Sequence, residues 1–310
     1  MTLPRDLRNK SDLKAAFKES QLWTRKELGQ NFLIDHNLLR WLVDAGDVDG
    51  NDLVLDVGAG TGLLTRHLAE RAWQVWAVEV DRRLFDFCST YTSGLTNVRL
   101  LHQDVLRDKF HIDPALQSAL QSELAARPGA CLKVISNLPY SISTLVIPTL
   151  LEGPLPVRLM VLTVQKEVGE RLAASPGTKA YGSLSVVVQA RANVRILRIL
   201  HHTVFWPQPS VDSAIVRIEA VPERIGRAVD PAWFGEVARG LFSARRKTAV
   251  NALGRNSKLR LQAERVAEAL GRLGVDVRER GERLTVEQIL DLSNELLKRD
   301  RAPVKVEDTP

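Results

Sequence analysis

Residues 54–64 read VLDVGAGTGLL: an apolar run, a turn carrying Gly58, Gly60 and Gly62, and the start of a second apolar run. This is the order of strand, tight turn and helix that opens a parallel sheet able to receive a nucleotide-like ligand. Glycine at those positions lets the backbone reverse sharply and lets a ligand come close where a Cβ would collide. Outward from this stretch, between about residues 51 and 221, short β-type runs alternate with helical ones, the pattern of a doubly wound α/β sheet. Strands are expected over 53–57, 74–80, 98–102, 132–135 and 158–164, with a later apolar strand pair over 184–188 and 214–218. A helix over 114–126 is closed by Arg127, Pro128 and Gly129. Past residue 221 the pattern predicts helices over 231–253, 258–273 and 286–299 with no strand between them, a small all-α C-terminal domain. Thr285 followed by Gln288 has the spacing of a capping box and marks a helix start. The expected layout is an N-terminal extension over 1–21, an α/β domain over 22–221, a helical domain over 222–301 and a flexible tail over 302–310. The extension reads either as an extra helix or as a mobile arm.

The bulk numbers exclude several classes. The chain has 310 residues, 45% hydrophobic and 26% charged, enough for an ordinary core. Only Cys88 and Cys131 are present and they form no CxxC pair, which speaks against a disulfide framework or a thiolate zinc site. The apolar segment over 142–164 is broken by Pro148, Glu152, Gly153, Pro154, Pro156 and Arg158, so no unbroken helix there crosses a bilayer. A soluble, cytoplasmic protein without a membrane partner is expected. The formal charge of +6 favours a polyanionic partner, because cations that neutralise phosphates release condensed counterions. His201 and His202 read as surface residues rather than metal ligands, since no other metal-ligand spacing accompanies them; no metal is expected.

The glycine turn alone admits two cofactors. Glu79, at the end of the next strand about twenty residues on, is placed to accept both hydroxyls of a ribose. A nicotinamide cofactor and S-adenosylmethionine both satisfy these features, and GAGTG departs from strict GxGxxG in favour of the second. Asp104, after the third strand, adds an acceptor for an adenine amino group at the same sheet edge, where ligands of open α/β sheets sit. Taken singly an aspartate there is more often a helix cap; its weight comes from the series Gly58, Glu79, Asp104, one per successive strand end.

The fourth strand ends in Ser136-Asn137-Leu138-Pro139-Tyr140. An adenine amino nitrogen is a poor nucleophile because its lone pair is delocalised into the ring. Two acceptors set against its two hydrogens, the Asn137 side-chain oxygen and the Leu138 carbonyl, favour a pyramidal nitrogen with an exposed lone pair. Pro139 fixes the turn. Tyr140 offers an aromatic face to a base taken out of its stack. An isolated NLPY is more often a plain strand-ending turn; on the fourth strand of a cofactor-binding sheet the reading reverses.

On these motifs the sequence resembles the KsgA/RsmA family of ribosomal RNA adenine dimethyltransferases, from about residue 28 to 296. Residues 28–35 (LGQNFLID) look like the family's opening segment over the cofactor, and 165–167, 181–189 (YGSLSVVVQ), 205–213 (FWPQPSVDS) and 242–253 (FSARRKTAVNAL) look like further family runs. The resemblance implies a Rossmann-like methyltransferase sheet and S-adenosyl-L-methionine held by Gln30, Asn31, Leu33, Gly58, Gly60, Glu79, Asp104 and Asn137. It implies that Phe205 sandwiches the target base opposite Tyr140. The reaction it implies is transfer of methyl groups to N6 of two adjacent adenosines in a loop near the 3′ end of 16S ribosomal RNA. The partner would be a pre-30S particle and the enzyme a monomer acting in small-subunit maturation.

Arg239, Arg245, Arg246, Lys247, Arg255, Lys258 and Arg260 have no acidic residue among them between Glu236 and Glu264. A charge run is usually a solvated face; here a surface for RNA phosphates is favoured, with Arg245, Arg246, Lys247 and Arg255 as its residues. Two other readings stand beside this one: a large-subunit (23S) RNA adenine methyltransferase of the macrolide-resistance type, and a non-catalytic assembly or transcription factor that retains the fold. Asp56 and Ala59 stand where the family often has glutamate and proline, and the segment over 107–130 looks longer than usual.

Overall fold

The computed structural model describes residues 7–25, 28–224, 226–244 and 246–298. Arg245, the first six residues of the extension and the tail over 302–310 lie outside the described residues. The chain divides into two compact units, Met1–Glu170 with Asn193–Ala220, and Arg171–Ala192 with Val221–Pro310.

The first unit opens on α1 (Lys10–Glu19), capped by Asn9, whose side chain accepts from the N–H groups of Ser11 and Asp12. Within the described part of the extension, residues 10–19 are therefore a helix. Its apolar face, Leu13, Ala16 and Phe17, is buried in the core. Two residues, β1 (Phe32–Leu33), precede α2 (His36–Ala45), which Asp35 caps. Then come β2 (Asp52–Val57), α3 (Leu63–Ala69), β3 (Gln74–Glu79), α4 (Arg82–Tyr91) and β4 (Val98–His102). The segment over 107–130 holds a small hairpin, β5 (Leu106–Asp108) with β6 (His111–Ile112), and α5 (Pro114–Ala126), capped by Asp113. β7 (Cys131–Asn137), α6 (Ser143–Glu152), β8 (Val157–Gln165), α7 (Lys166–Leu172), α8 (Ser183–Gln189), β9 (Ala192–Leu200), β10 (Phe205–Trp206) and β11 (Ser213–Ala220) follow.

The main sheet runs β4-β3-β2-β7-β8-β11-β9, parallel from β4 to β8, with β11 antiparallel to β8. All six residues of β2 are buried, as expected for a central parallel strand covered on both faces. Its first residue, Asp52, is charged; Lys133 on β7 meets it at 2.7 Å, which offsets the cost of burying either ion alone. Chain order reverses between β2 and β7, since β3 and β4 continue to one side and β8 to the other. The crevice beyond the carboxyl ends of those two strands is where a doubly wound sheet receives its ligand.

The second unit is helical: α8, α9 (Pro231–Phe242), α10 (Ala249–Gly254), α11 (Ala263–Arg272) and α12 (Val286–Lys298). Its core contains Tyr181, Val186, Phe234, Leu253, Val266 and Ile289. Three expectations fail here. The run over 184–188 is a helix, not a strand, and residues 171–192, expected in the α/β domain, belong to the helical unit. The helix expected over 231–253 is two, because the chain turns after Phe242 and Thr248 caps a new helix by accepting from Asn251 N–H at 3.3 Å. The start at Thr285 has the reciprocal pair: Gln288 N–H donates to Thr285 Oγ1, and Thr285 N–H to Gln288 Oε1.

Candidate active site

The glycine turn is built by backbone bonds to the neighbouring strand. Gly58 and Ala59 both donate to the Val78 carbonyl, at 2.8 and 3.1 Å. Gly58 has φ +75°, and a Cβ placed on it would stand 2.7 Å from Pro139 Cγ. The glycine turn and the NLPY turn are thus packed against one another across the switch point, and any side chain at 58 would separate them. Gly60, at φ +57°, lies under the Phe32 ring, which a Cβ would meet at 3.0 Å.

Glu79 ends β3 almost wholly buried. Its Oε2 accepts from Gly60 N–H at 2.8 Å and its Oε1 from Asp81 N–H at 2.9 Å. Burial pushes this carboxyl up from its ordinary range, while the Asp81 and Gly60 donors pull it down. Beneath the turn, Asp56 is fully buried with Thr65 Oγ1 donating to it at 2.8 Å; burial raises its pKa to about 7 against the Thr65 and Ser136 hydrogen bonds, with the Glu79 charge adding to the rise. Asp104 sits exposed just past β4, its Oδ1 accepting from Leu106 N–H at 2.9 Å. It is a turn residue at the strand end, not a helix cap.

Asn137, the last residue of β7, donates its Nδ2–H to the Asn31 carbonyl at 2.7 Å. That bond fixes which end of the amide faces which way, and among the described residues no donor reaches Asn137 Oδ1. Asn31 donates its own amide to the Gly29 carbonyl at 3.1 Å, and Gln30 donates to Asp81 Oδ2 at 3.1 Å while accepting from Arg25 N–H. The opening segment is thereby tied down both to the end of β7 and to the start of α4. The Tyr140 hydroxyl shares a hydrogen bond with Ser213 Oγ; burial pushes its phenol up and the Ser213 bond pulls it down.

These residues line one open cleft of about 850 Å³: Gln30, Asn31, Gly58, Gly60, Glu79, Asp104, Asn137, Leu138, Pro139 and Tyr140 all face it. Two expected residues do not line this cleft. Leu33 is buried and borders a smaller cavity behind the glycine turn with Phe32, Gly58 and Asn137. Phe205, expected to cover a base, has no exposed surface: β10 pairs with β1, opposite Leu33, and its ring belongs to the core. A ring buried on both faces cannot stack on a base, so the structure gives it a packing role.

Sequence reasoning missed others. Asp81 holds Gln30, accepts from Arg83 N–H at 3.0 Å at the start of α4 and pairs with Arg25. Its signal was available, an aspartate directly before a helical run. Ser136 accepts from Val57 N–H at 2.7 Å across the β2–β7 divide. Val80, Leu84 and Val105 supply an apolar wall. In the helical unit Arg246, Lys247 and Arg255 are exposed and pair with no carboxylate among the described residues.

Residues 22–298 match the model of the ribosomal RNA adenine dimethylase family. The chain is 41% identical over 274 residues to the ribosomal RNA small subunit methyltransferase A of Geobacillus thermodenitrificans, covering 88% of this chain and 91% of that one. It is 40% identical over the same length to the Bacillus mycoides protein of that name. Among solved structures, a dimethyladenosine transferase from Plasmodium falciparum superposes with a TM-score of 0.69 at 23% identity, over 85% of this chain and 96% of that one. The 23S rRNA methyltransferase ErmE superposes at 0.62 with 25% identity, over 86% and 99%. With a family match spanning nearly the whole described chain, this protein belongs to the ribosomal RNA adenine dimethylases.

Proposed function

We infer that the chain transfers methyl groups from S-adenosyl-L-methionine to N6 of two adjacent adenosines near the 3′ end of small-subunit ribosomal RNA, within a pre-30S particle. The observation that carries the reading is the Asn137 amide, whose nitrogen is committed to Asn31 and whose oxygen is left as an acceptor in the cleft.

The residues fit the cofactor. A turn that any Cβ at Gly58 would fill, a buried carboxylate at the end of β3 and an apolar wall of Val80, Leu84 and Val105 make a cradle for an adenosine. Glu79 keeps lone pairs for the ribose hydroxyls beyond its two backbone donors, and Asp104 would accept from the adenine amino group. When bound, the cofactor supplies an activated sulfonium methyl, so the protein needs neither a metal nor a nucleophile of its own. What these side chains do is position. In the first transfer Asn137 Oδ1 and the Leu138 carbonyl would accept the two hydrogens of the target amino group and turn its lone pair toward the methyl. The methylated nitrogen then gives up one proton to solvent, and the single remaining hydrogen would be held in the same way for the second transfer. The Tyr140 ring, held by Ser213, stacks on the base. Alignment of two bound reactants accounts for a large part of such a rate enhancement. Arg246, Lys247 and Arg255 grip phosphates, a contact that positions RNA without reading its sequence.

The test is to incubate purified protein with labelled cofactor and with small- or large-subunit particles lacking the modification. Label in N6,N6-dimethyladenosine of the small-subunit RNA alone is the expected result. Label confined to large-subunit RNA, or none in either, overturns the reading.

A further inference from the structure

Outside the cleft, the fold brings a third side chain to the histidine pair that the sequence leaves at the surface. His201 and His202 follow β9 and Asp212 immediately precedes β11. The two imidazole rings have centroids 4.0 Å apart, and one ligand atom from each of the three residues lies within 4.8 Å of the others. His202 Nδ1 shares a hydrogen bond of 3.1 Å with Asp212 Oδ1, which a bound ion would replace. Two atoms sharing one metal through bonds of about 2.0–2.1 Å stand roughly 3.0–3.4 Å apart, so this pair already has the spacing of one edge of a coordination polyhedron. Asp212 is held in place, its Oδ1 accepting from His202 N–H at 3.1 Å and its carbonyl from Lys166 N–H at 3.0 Å. The exposed His201 ring is oriented through Nδ1 by Thr203 Oγ1 at 2.9 Å, which leaves Nε2 for a ligand.

We propose that His201, His202 and Asp212 bind one divalent transition-metal ion. Two imidazoles with one carboxylate suit Zn²⁺, Co²⁺ or Ni²⁺, whereas Mg²⁺ and Ca²⁺ call for oxygen ligands. Three protein ligands leave a position for water. The ion's place gives it a purpose. Asp212 is followed by Ser213, whose Oγ holds the Tyr140 hydroxyl, so an ion there pins the connection between β9 and β11 to the aromatic wall of the cleft. It acts on positioning and takes no part in the chemistry of transfer.

The experiment uses the full chain stripped with a chelator and titrated with Co²⁺, followed by calorimetry and visible absorption. One equivalent is expected to bind with d–d bands in the visible, and His201→Ala and Asp212→Asn each weaken it at least tenfold. His201 is exposed, so the metal-free His201→Ala variant melts where the parent does. His36 and His67, with ring nitrogens 3.0 Å apart, are the competing ligands, and His67→Ala is expected to leave the binding unchanged. Absence of saturable binding, binding that survives His201→Ala, or binding lost in His67→Ala overturns the proposal.

Discussion

Asn137 combines two tasks in one amide, tethering the opening segment through its nitrogen and presenting an acceptor through its oxygen. The tether is long-range, 106 residues apart in sequence, and no spacing rule announces it. Asn137, Gly58 and Glu79 were legible because Asn137 and Glu79 end strands, Gly58 directly follows one, and each residue type has a chemical reason to stand there. Phe205 misled because its proposed role rested on likeness alone; its pairing strand, β1, is only two residues long and leaves almost no periodic trace. Asp56 offers a prediction of its own. Burial pushes its pKa up from 3.8 to about 7, so between those values the folded protein holds a proton that the unfolded chain has released. Stability is therefore greatest below the unfolded value, falls as pH rises from about 4 to about 7, and levels off above. Asp56→Asn is expected to flatten that fall, raising Tm at pH 7.5 relative to pH 5 when compared with the parent, at about 2–4 °C per kcal/mol. An unchanged pH slope of Tm would show that the residue is not the titrating group.

Elements with a clear period were readable and those without were not. β2, β3, β7 and β8 are mostly buried apolar runs, whereas β4 is only partly buried, and α5 matches its expected bounds because Asp113, Pro114 and Arg127 mark both ends. The run Leu184–Val188 was taken for a strand because it is short, apolar and β-branched, which periodicity cannot separate from a buried helix. Tertiary context decides it: α8 packs in the helical core, and its start is fixed by Gly182 N–H donating to Ser185 Oγ at 3.0 Å. The first helix was undecidable from sequence for a related reason, since its apolar residues only make sense beside partners far along the chain. Phe17 meets Phe32, Phe87 and Trp206 with ring centroids 5.6, 5.5 and 5.1 Å away. Phe17→Ala is expected to destabilise the first unit by about 3–5 kcal/mol, the usual cost of truncating a buried phenylalanine. Urea unfolding followed by near-UV circular dichroism measures it, and a loss below about 1 kcal/mol would mean that α1 is not part of that core.

At the scale of the whole molecule, a doubly wound sheet supplies a crevice and a helical unit carries an excess of positive charge, the division of labour expected of a protein that holds a small cofactor and a large polyanion. Among the described residues no helix is long and apolar enough to cross a membrane. If Arg246, Lys247 and Arg255 contact phosphates, alanine at Arg246 and Arg255 together weakens RNA binding for every sequence alike. The slope of log affinity against log salt then becomes shallower by about 1 to 2. An unchanged slope would leave those cations as a solvated face. The catalytic account itself rests on a smaller feature. The most direct measurement is single-turnover methyl transfer by Asn137→Ala, set beside its cofactor affinity from calorimetry. The account predicts a rate constant at least about a hundredfold lower, the scale seen when one positioned polar group is removed from a reaction site, with cofactor affinity changed less than tenfold. Near-normal transfer by that variant would contradict it.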